Sequence, residues 1–229
     1  YWFDTVEEML DTQLRLKGSH LTWAEFSAKA FVAKTGEQQH YYKYKTDYWR
    51  KGGGFGTPSG KIEFYSPFLE SLGHDPLPYY IEPNESPEST PDLAKDYPLI
   101  LTTGARKPFF FHSQYRQIPW LRRFQRDPQT QINPRVATNL GIRNGDWIWI
   151  ETPRGKIRQR AQVTDATPPQ VVQVQHGWWY PEEAGPLHGM DSCNANYLTS
   201  NELPGDPVFG SPTYRNLLCR VRRADLQTE

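Results

Sequence analysis

Residues 144–164 read NGDWIWIETPRGKIRQRAQVT. Asn144-Gly145-Asp146 is turn chemistry, and it leads into WIWIET, in which side chains alternate as on a strand with two different faces. Pro153-Arg154-Gly155 then turns the chain back into KIRQRAQVT, a second run of period two. Two such runs around a Pro/Gly turn predict a β-hairpin, and a hairpin of this length anchors a β-rich domain.

Working outward, LILTT (99–103) is a buried strand that stops at Gly104. Asn133-Pro134 opens a short helix over RVATNL, with Gly141 as its C-terminal stop. Val171–Val174 and Leu217–Val221 supply further strands. Short strands with one or two small helices predict a barrel rather than a doubly wound sheet.

Upstream, the texture changes. Pro76, Pro78, Pro83, Pro87, Pro91 and Pro98 interrupt a polar, acidic stretch, so residues 75–97 read as a linker with a domain boundary near residue 95. Before it, Asp4 with Glu7 and Thr22 with Glu25 predict two helix starts. Trp2, Val6, Met9, Leu10 and Leu14 follow the first start up to Gly18. Trp23, Phe26, Ala30 and Phe31 follow the second up to Gly36. Tyr41–Trp49 is aromatic and irregular. KGGGFGTPSG (51–60) is a loop, KIEFYS (61–66) alternates like a short strand, and Ser66-Pro67 opens a brief helix over FLESL.

The 229 residues carry no formal net charge, but the charge is unevenly spread. Residues 1–95 hold 10 Lys/Arg and 14 Asp/Glu, a net −4; residues 96–229 hold 16 and 12, a net +4. Fourteen of those 16 cations are arginines, whose fork suits phosphates and planar oxyanions, although a solvated basic surface is the plainer reading of any one of them. Cys193 and Cys219 are too few for a four-thiolate zinc or iron–sulfur site. No apolar run approaches the roughly 20 residues of a membrane span. The chain opens on Tyr1 rather than Met, which reads as a fragment or a processed product.

Two segments carry recognition chemistry. In LILTTGARKPFFFHSQYR (99–116) a strand tip offers backbone N–H groups followed at once by Arg106, as a pyrophosphate or a polar ring edge requires. No P-loop and no Gly-x-Gly-x-x-Gly is present. In NANYLTSNELPGDPVFGSPTYRNLLCRV (194–221), Asn194 and Asn196 offer amides for a heterocycle's edge or for Asx-turns, and Tyr214-Arg215 pairs a stacking face with a guanidinium. QHGWWYPEEAGPLHGMDSC (175–193) holds His176, His188 and Cys193, but their spacing fits no short metal motif. Glu182 and Glu183 sit on a turn where exposure is the default.

TPSGKIEFYS, LTTGARKPFFFHS, INPRVATNLGIRNGDWIWIETPRGKI, CNANYLTS and SPTYRNLLCRV occur in an order that resembles the C-terminal dinucleotide-binding domain of the molybdopterin oxidoreductases, the dimethyl-sulfoxide-reductase family, over about residues 56–222. The resemblance implies a six-stranded double-psi β-barrel over residues 98–224, preceded by the tail of another domain (1–74) and followed by a short tail (225–229). It implies a cofactor, molybdopterin guanine dinucleotide with molybdenum or tungsten. Matched residue by residue, it implies contacts to that cofactor from Thr103, Gly104, Arg106, His112, Ser113, Gln114, His176, Asn194, Asn196, Tyr214 and Arg215. Arg215 stands where a lysine is commoner.

The metal's protein ligand and the iron–sulfur cysteines lie upstream in the family and are not in this sequence. The resemblance therefore implies no catalytic or metal-ligating residue here and no activity from this chain alone. It implies an iron–sulfur cluster in the parent, upstream domains in the same polypeptide and an electron-transfer subunit as partners, and a parent in the periplasm or cell envelope, alternatively in the cytoplasm. It implies neither nucleic acid nor a membrane span as a partner of this piece. Two alternatives stay open: a double-psi barrel that binds protein or nucleic acid without chemistry, and a hydratase-like, non-redox member of the same family. Polar groups awaiting a ligand would leave the loops at 104–116 and 176–200 mobile.

Overall fold

The computed structural model describes residues 2–29, 54–202 and 205–224, in two compact units, Tyr1–Pro78 and Tyr79–Glu229. In the first unit α1 spans Val6–Leu16 and starts one residue later than expected. Thr5, not Asp4, is its cap: the Thr5 hydroxyl accepts from the Glu8 amide at 3.1 Å, and the Asp4 amide donates back to the Glu8 carboxylate at 3.0 Å. In α2 (Trp23–Ser27) the Thr22–Glu25 capping box forms as expected, with reciprocal bonds of 3.2 and 2.8 Å. Ala30, Phe31, Gly36, Tyr41–Trp49 and residues 51–53 of the glycine-rich loop lie outside the described residues.

The expected strand over 61–66 is not formed. Ile62 and Phe64 are 68% and 80% exposed, and no strand among the described residues pairs with this run, so the alternation has no ladder to hold it. Ser66 caps α3 (Pro67–Ser71), with Pro67 in the first turn.

The second unit begins at Tyr79, so the break falls within the Pro-rich stretch rather than near residue 95. Its opening segment is tied down. The Glu85 carboxylate accepts from the Leu218 amide at 2.5 Å and pairs with Arg154, and α4 (Pro91–Asp96) follows. The prolines limit regular structure, but one half-buried carboxylate anchors what composition alone reads as linker.

Six strands close into a barrel: β1 (Leu99–Thr102), β2 (Gln129–Ile132), β3 (Trp147–Thr152), β4 (Gly155–Val163), β5 (Val171–Val174) and β6 (Leu217–Arg223). Their order around the barrel is β1-β5-β2-β4-β3-β6. The pairs β1–β5 and β2–β4 are parallel; the other four are antiparallel. Exchanging β1, β2 and β3 for β4, β5 and β6 leaves every neighbour and every direction unchanged. The barrel is therefore two interlocked three-stranded halves, the double-psi arrangement. Short helices fill the connections: α5 (Pro119–Arg122), α6 (Pro134–Asn139), α7 (Met190–Cys193) and a 3₁₀ turn at Ala195–Leu198.

The hairpin pairs Trp147 with Arg160 through to Thr152 with Gly155. Its inward residues Ile148, Ile150 and Ile157 are fully buried with Leu101, Ile132, Val172, Val174, Cys219 and Val221. Each fully buried side chain of this size contributes about 1.5–3 kcal/mol. On the outward face the alternation places Lys156, Arg158 and Arg160 over the Trp147 and Trp149 rings at 4.1–6.0 Å.

Candidate functional site: the loop rim of the barrel

Because β1 runs parallel to β5 and antiparallel to β6, the end of β1, the end of β5 and the start of β6 share one rim. The segments read from sequence as recognition elements are the loops at that rim. The Thr103 hydroxyl donates to the Tyr214 carbonyl at 2.9 Å, and the Tyr214 hydroxyl donates to Asn201 Oδ1 at 2.9 Å. A Cβ added at Gly104 would lie 3.3 Å from Gln173 Nε2, so the strand tip leaves the barrel tight against β5.

His112 and His176 meet here. His176 Nε2 lies 3.3 Å from His112 Nδ1, and the ring centroids are 5.3 Å apart. His112 holds this position with φ at 49°, a left-handed conformation that a non-glycine residue keeps only when its surroundings require it. The close backbone approach is the reason for Gly177 (φ 66°): a Cβ there would fall 3.0 Å from the His112 carbonyl. Trp179 Nε1 donates to the Ser113 carbonyl at 2.6 Å, closing the same seam.

Burial pushes the His176 pKa below its usual value, and the charges of His112, Arg106, Arg116 and Arg215 push the same way. Arg106 from the β1 loop and Arg215 before β6 thus both lie near enough to His176, after β5, for their charges to act on it. His176 Nδ1 is buried without a hydrogen-bond partner.

The loops also share a small core of their own: Phe110, Leu121, Trp178 and Cys193, with Phe109, Ile118 and Tyr180 against them. The mobility expected for 104–116 and 176–200 rested on polar groups alone and left out this apolar anchor. Trp178 is fully buried, with Phe110 edge-on to it at 5.5 Å. Burial raises the Tyr180 pKa, and it raises that of Cys193 to about 12, so both stay protonated at neutral pH.

Not every matched residue faces the rim with free groups. Asn194 is 7% exposed and its amide is used internally: Nδ2 donates to the Trp178 carbonyl at 3.1 Å and Oδ1 accepts from the Asn196 amide at 3.0 Å. Asn196 is exposed on the 3₁₀ turn, at the same rim. Ser113 and Gln114 are exposed and give backbone carbonyls to the seam. His188 turns away from His176 and donates from Nδ1 to the Glu183 carbonyl at 2.6 Å, and Cys193 is buried, so the three candidate zinc ligands do not converge.

Sequence reasoning did not single out Arg116, Glu85 or Arg154. Arg116 closes the FFFHSQYR motif, but its burial depends on Trp178, 62 positions away. Glu85 and Arg154, with Asn84, Ser200, Glu202, Thr213, Asn216 and Leu217, line a cleft of about 230 Å³.

The model of the molydopterin dinucleotide binding domain matches residues 99–218. The chain belongs to this family. The domain is one found in dimethyl-sulfoxide-reductase-family enzymes. The chain is 36% identical to acetylene hydratase of Syntrophotalea acetylenica over 220 residues, 93% of this chain and 28% of that protein. It is 39% identical to dopamine dehydroxylase of Eggerthella lenta over 177 residues, 75% of this chain and 17% of that protein. It is 32% identical to dimethyl sulfoxide reductase DmsA of Escherichia coli over 210 residues, 86% of this chain and 25% of that protein. The solved structure of acetylene hydratase from Pelobacter acetylenicus matches with a TM-score of 0.73 at 33% identity, covering 95% of this chain and 29% of that one. The chain thus spans between 17% and 28% of the length of these curated relatives. No helix among its described residues is long and apolar enough to cross a membrane.

Proposed function

We propose that the rim clamps the pyrophosphate and a ring edge of molybdopterin guanine dinucleotide in the parent enzyme. The observation that carries this reading is that Arg106, His112 and Arg215, on the loops after β1 and before β6, lie near enough to His176 for their charges to act on it. Buried His176 Nδ1, with no partner among the described residues, and the tight glycine turn at Gly104 suit a ligand that brings hydrogen-bonding groups close to backbone. Thr103, Gly104, Arg106, His112, Ser113, Gln114, His176, Asn196, Tyr214 and Arg215 form the binding rim. Asn194 supports it from behind by fixing Trp178 and the Asn196 amide.

Residues 98–224 are the binding barrel and 1–74 the tail of a preceding domain. The bound group supplies the redox chemistry, with molybdenum or tungsten, and this chain's residues bind and orient it. An iron–sulfur cluster and an electron-transfer subunit belong to the parent. A second reading, hydration without net redox, is favoured by the match to acetylene hydratase over 93% of this chain. Turnover by the full-length protein, assayed with and without an electron donor or acceptor, separates the two, since hydration needs neither.

Calorimetry with guanosine 5′-diphosphate, which carries the guanine and pyrophosphate, tests the binding role on this chain. Saturable binding, with no salt-sensitive affinity for a single-stranded oligonucleotide, is expected. Oligonucleotide binding with no nucleotide binding would replace this reading with that of a nucleic-acid module.

A further inference from the structure

Two charged side chains are buried among the described residues, and they are treated differently. Glu151, 7% exposed, accepts from Arg220 and Arg222 at 2.6 and 2.8 Å. Arg116, 1% exposed, meets no carboxylate. Its guanidinium lies between the Phe110 and Trp178 rings, 4.8 and 4.6 Å from their centroids. Nη1 donates to the Gln114 carbonyl and Nη2 to the His176 carbonyl, both at 3.4 Å, and Nε has no partner. Burial, then the charge of Arg122, lowers its pKa to about 10, which still leaves it charged at neutral pH.

A buried cation without a counter-ion costs several kcal/mol, and an apolar residue of similar volume would pack the same space at less cost. Aromatic faces recover only part of that. What Arg116 gains is position: its two carbonyl contacts join the 112–114 turn to the 176–178 turn where the histidines meet. Arg106 and Arg215 are exposed, so salt screens them; a dehydrated cation fixed among rings keeps its field.

We propose that Arg116 is a positioning residue of the rim, which fixes the His112–His176 contact through two carbonyls and sets a permanent positive charge behind it for an anionic ligand. This rests on the cofactor-binding reading. The charge is balanced by the ligand's phosphates rather than by the protein.

The test uses the 229-residue chain with Arg116→Met, Arg116→Gln and Arg116→Lys. Two quantities are read: the His176 ring titration by NMR, assigned with His176→Gln, and the affinity for guanosine 5′-diphosphate. The groups acting on His176 are His112, Arg106, Arg116 and Arg215, and only one is changed. Removing the charge should raise the His176 pKa by about half a unit or more, and should weaken nucleotide binding roughly tenfold. Arg116→Lys should leave the titration near wild type and recover part of the affinity. Arg116→Gln keeps a donor and carries the test should the Met variant not fold.

Charge-removing variants with a wild-type titration and wild-type affinity would overturn the proposal. A fall in affinity with the titration unmoved would reduce Arg116 to packing, also overturning it. A wild-type chain without nucleotide affinity counts against the cofactor reading instead, and the ligand-free titration then decides the role of Arg116 by itself.

Discussion

Inside the barrel, Gln159 is fully buried and every hydrogen-bonding position of its side chain is used. Nε2 donates to the Gln175 and Cys193 carbonyls at 2.9 and 3.0 Å, while Oε1 accepts from Thr130 Oγ1 and the Gln175 amide at 2.8 and 3.3 Å. Between the rim loops the opposite holds. Four buried side-chain nitrogen or oxygen atoms lack a partner among the described residues, and three belong to Arg116, His176 and Trp178. Both regions bury large side chains, but only the barrel resolves its polar groups internally. Unresolved groups concentrated in one seam are what the proposed binding role of the rim calls for.

Gln159→Ala should break this contrast most severely. It leaves a cavity and strips partners from Thr130, Gln175 and Cys193, for a loss of about 3–5 kcal/mol in urea unfolding. Glu151→Gln is next. Burial alone would raise the Glu151 pKa, but the hydrogen bonds from Arg220 and Arg222 outweigh it and hold the carboxyl below its usual value. Its stabilisation is therefore present above the carboxylate range and lost as pH falls through the lowered pKa. At neutral pH the substitution should cost about 1–2 kcal/mol. The difference from wild type should shrink in acid. Neither change should alter nucleotide affinity per folded molecule.

Arg106→Gln and Arg215→Gln should do the reverse. Both residues are exposed, so unfolding stability should move by less than about 0.5 kcal/mol, while nucleotide affinity falls several-fold. The smallest effect is that of His176. Its folded-state pKa lies below 6.5, so the unfolded chain binds the proton first, and stability declines as pH falls below about 6.5. His176→Gln should flatten that part of the wild-type pH–stability curve.

The same contrast explains what the sequence made legible. The hairpin was readable because Ile148, Ile150 and Ile157 alternate with Trp, Lys and Arg, and a buried face imposes that period. β2, QTQI, was not: its buried Thr130 looks polar in sequence and is satisfied by Gln159, 29 residues away. KIEFYS showed the period without the structure, since no partner strand lies beside it among the described residues. Of the rim, the ordered motifs contain Arg106, His112 and Arg215, and the resemblance added His176 by its place after a strand. They did not show that Asn194 is consumed internally, nor that Arg116 is buried, because both facts depend on where Trp178 packs.

The most direct test of the central claim is an amide NMR titration of the 229-residue chain with guanosine 5′-diphosphate. Shifts concentrated at 103–106, 112–114, 176–177 and 213–216, with the outward Trp147–Trp149 face unmoved, are the predicted result. Shifts confined to that basic outward face, or none at the rim while binding is measurable by calorimetry, would contradict it.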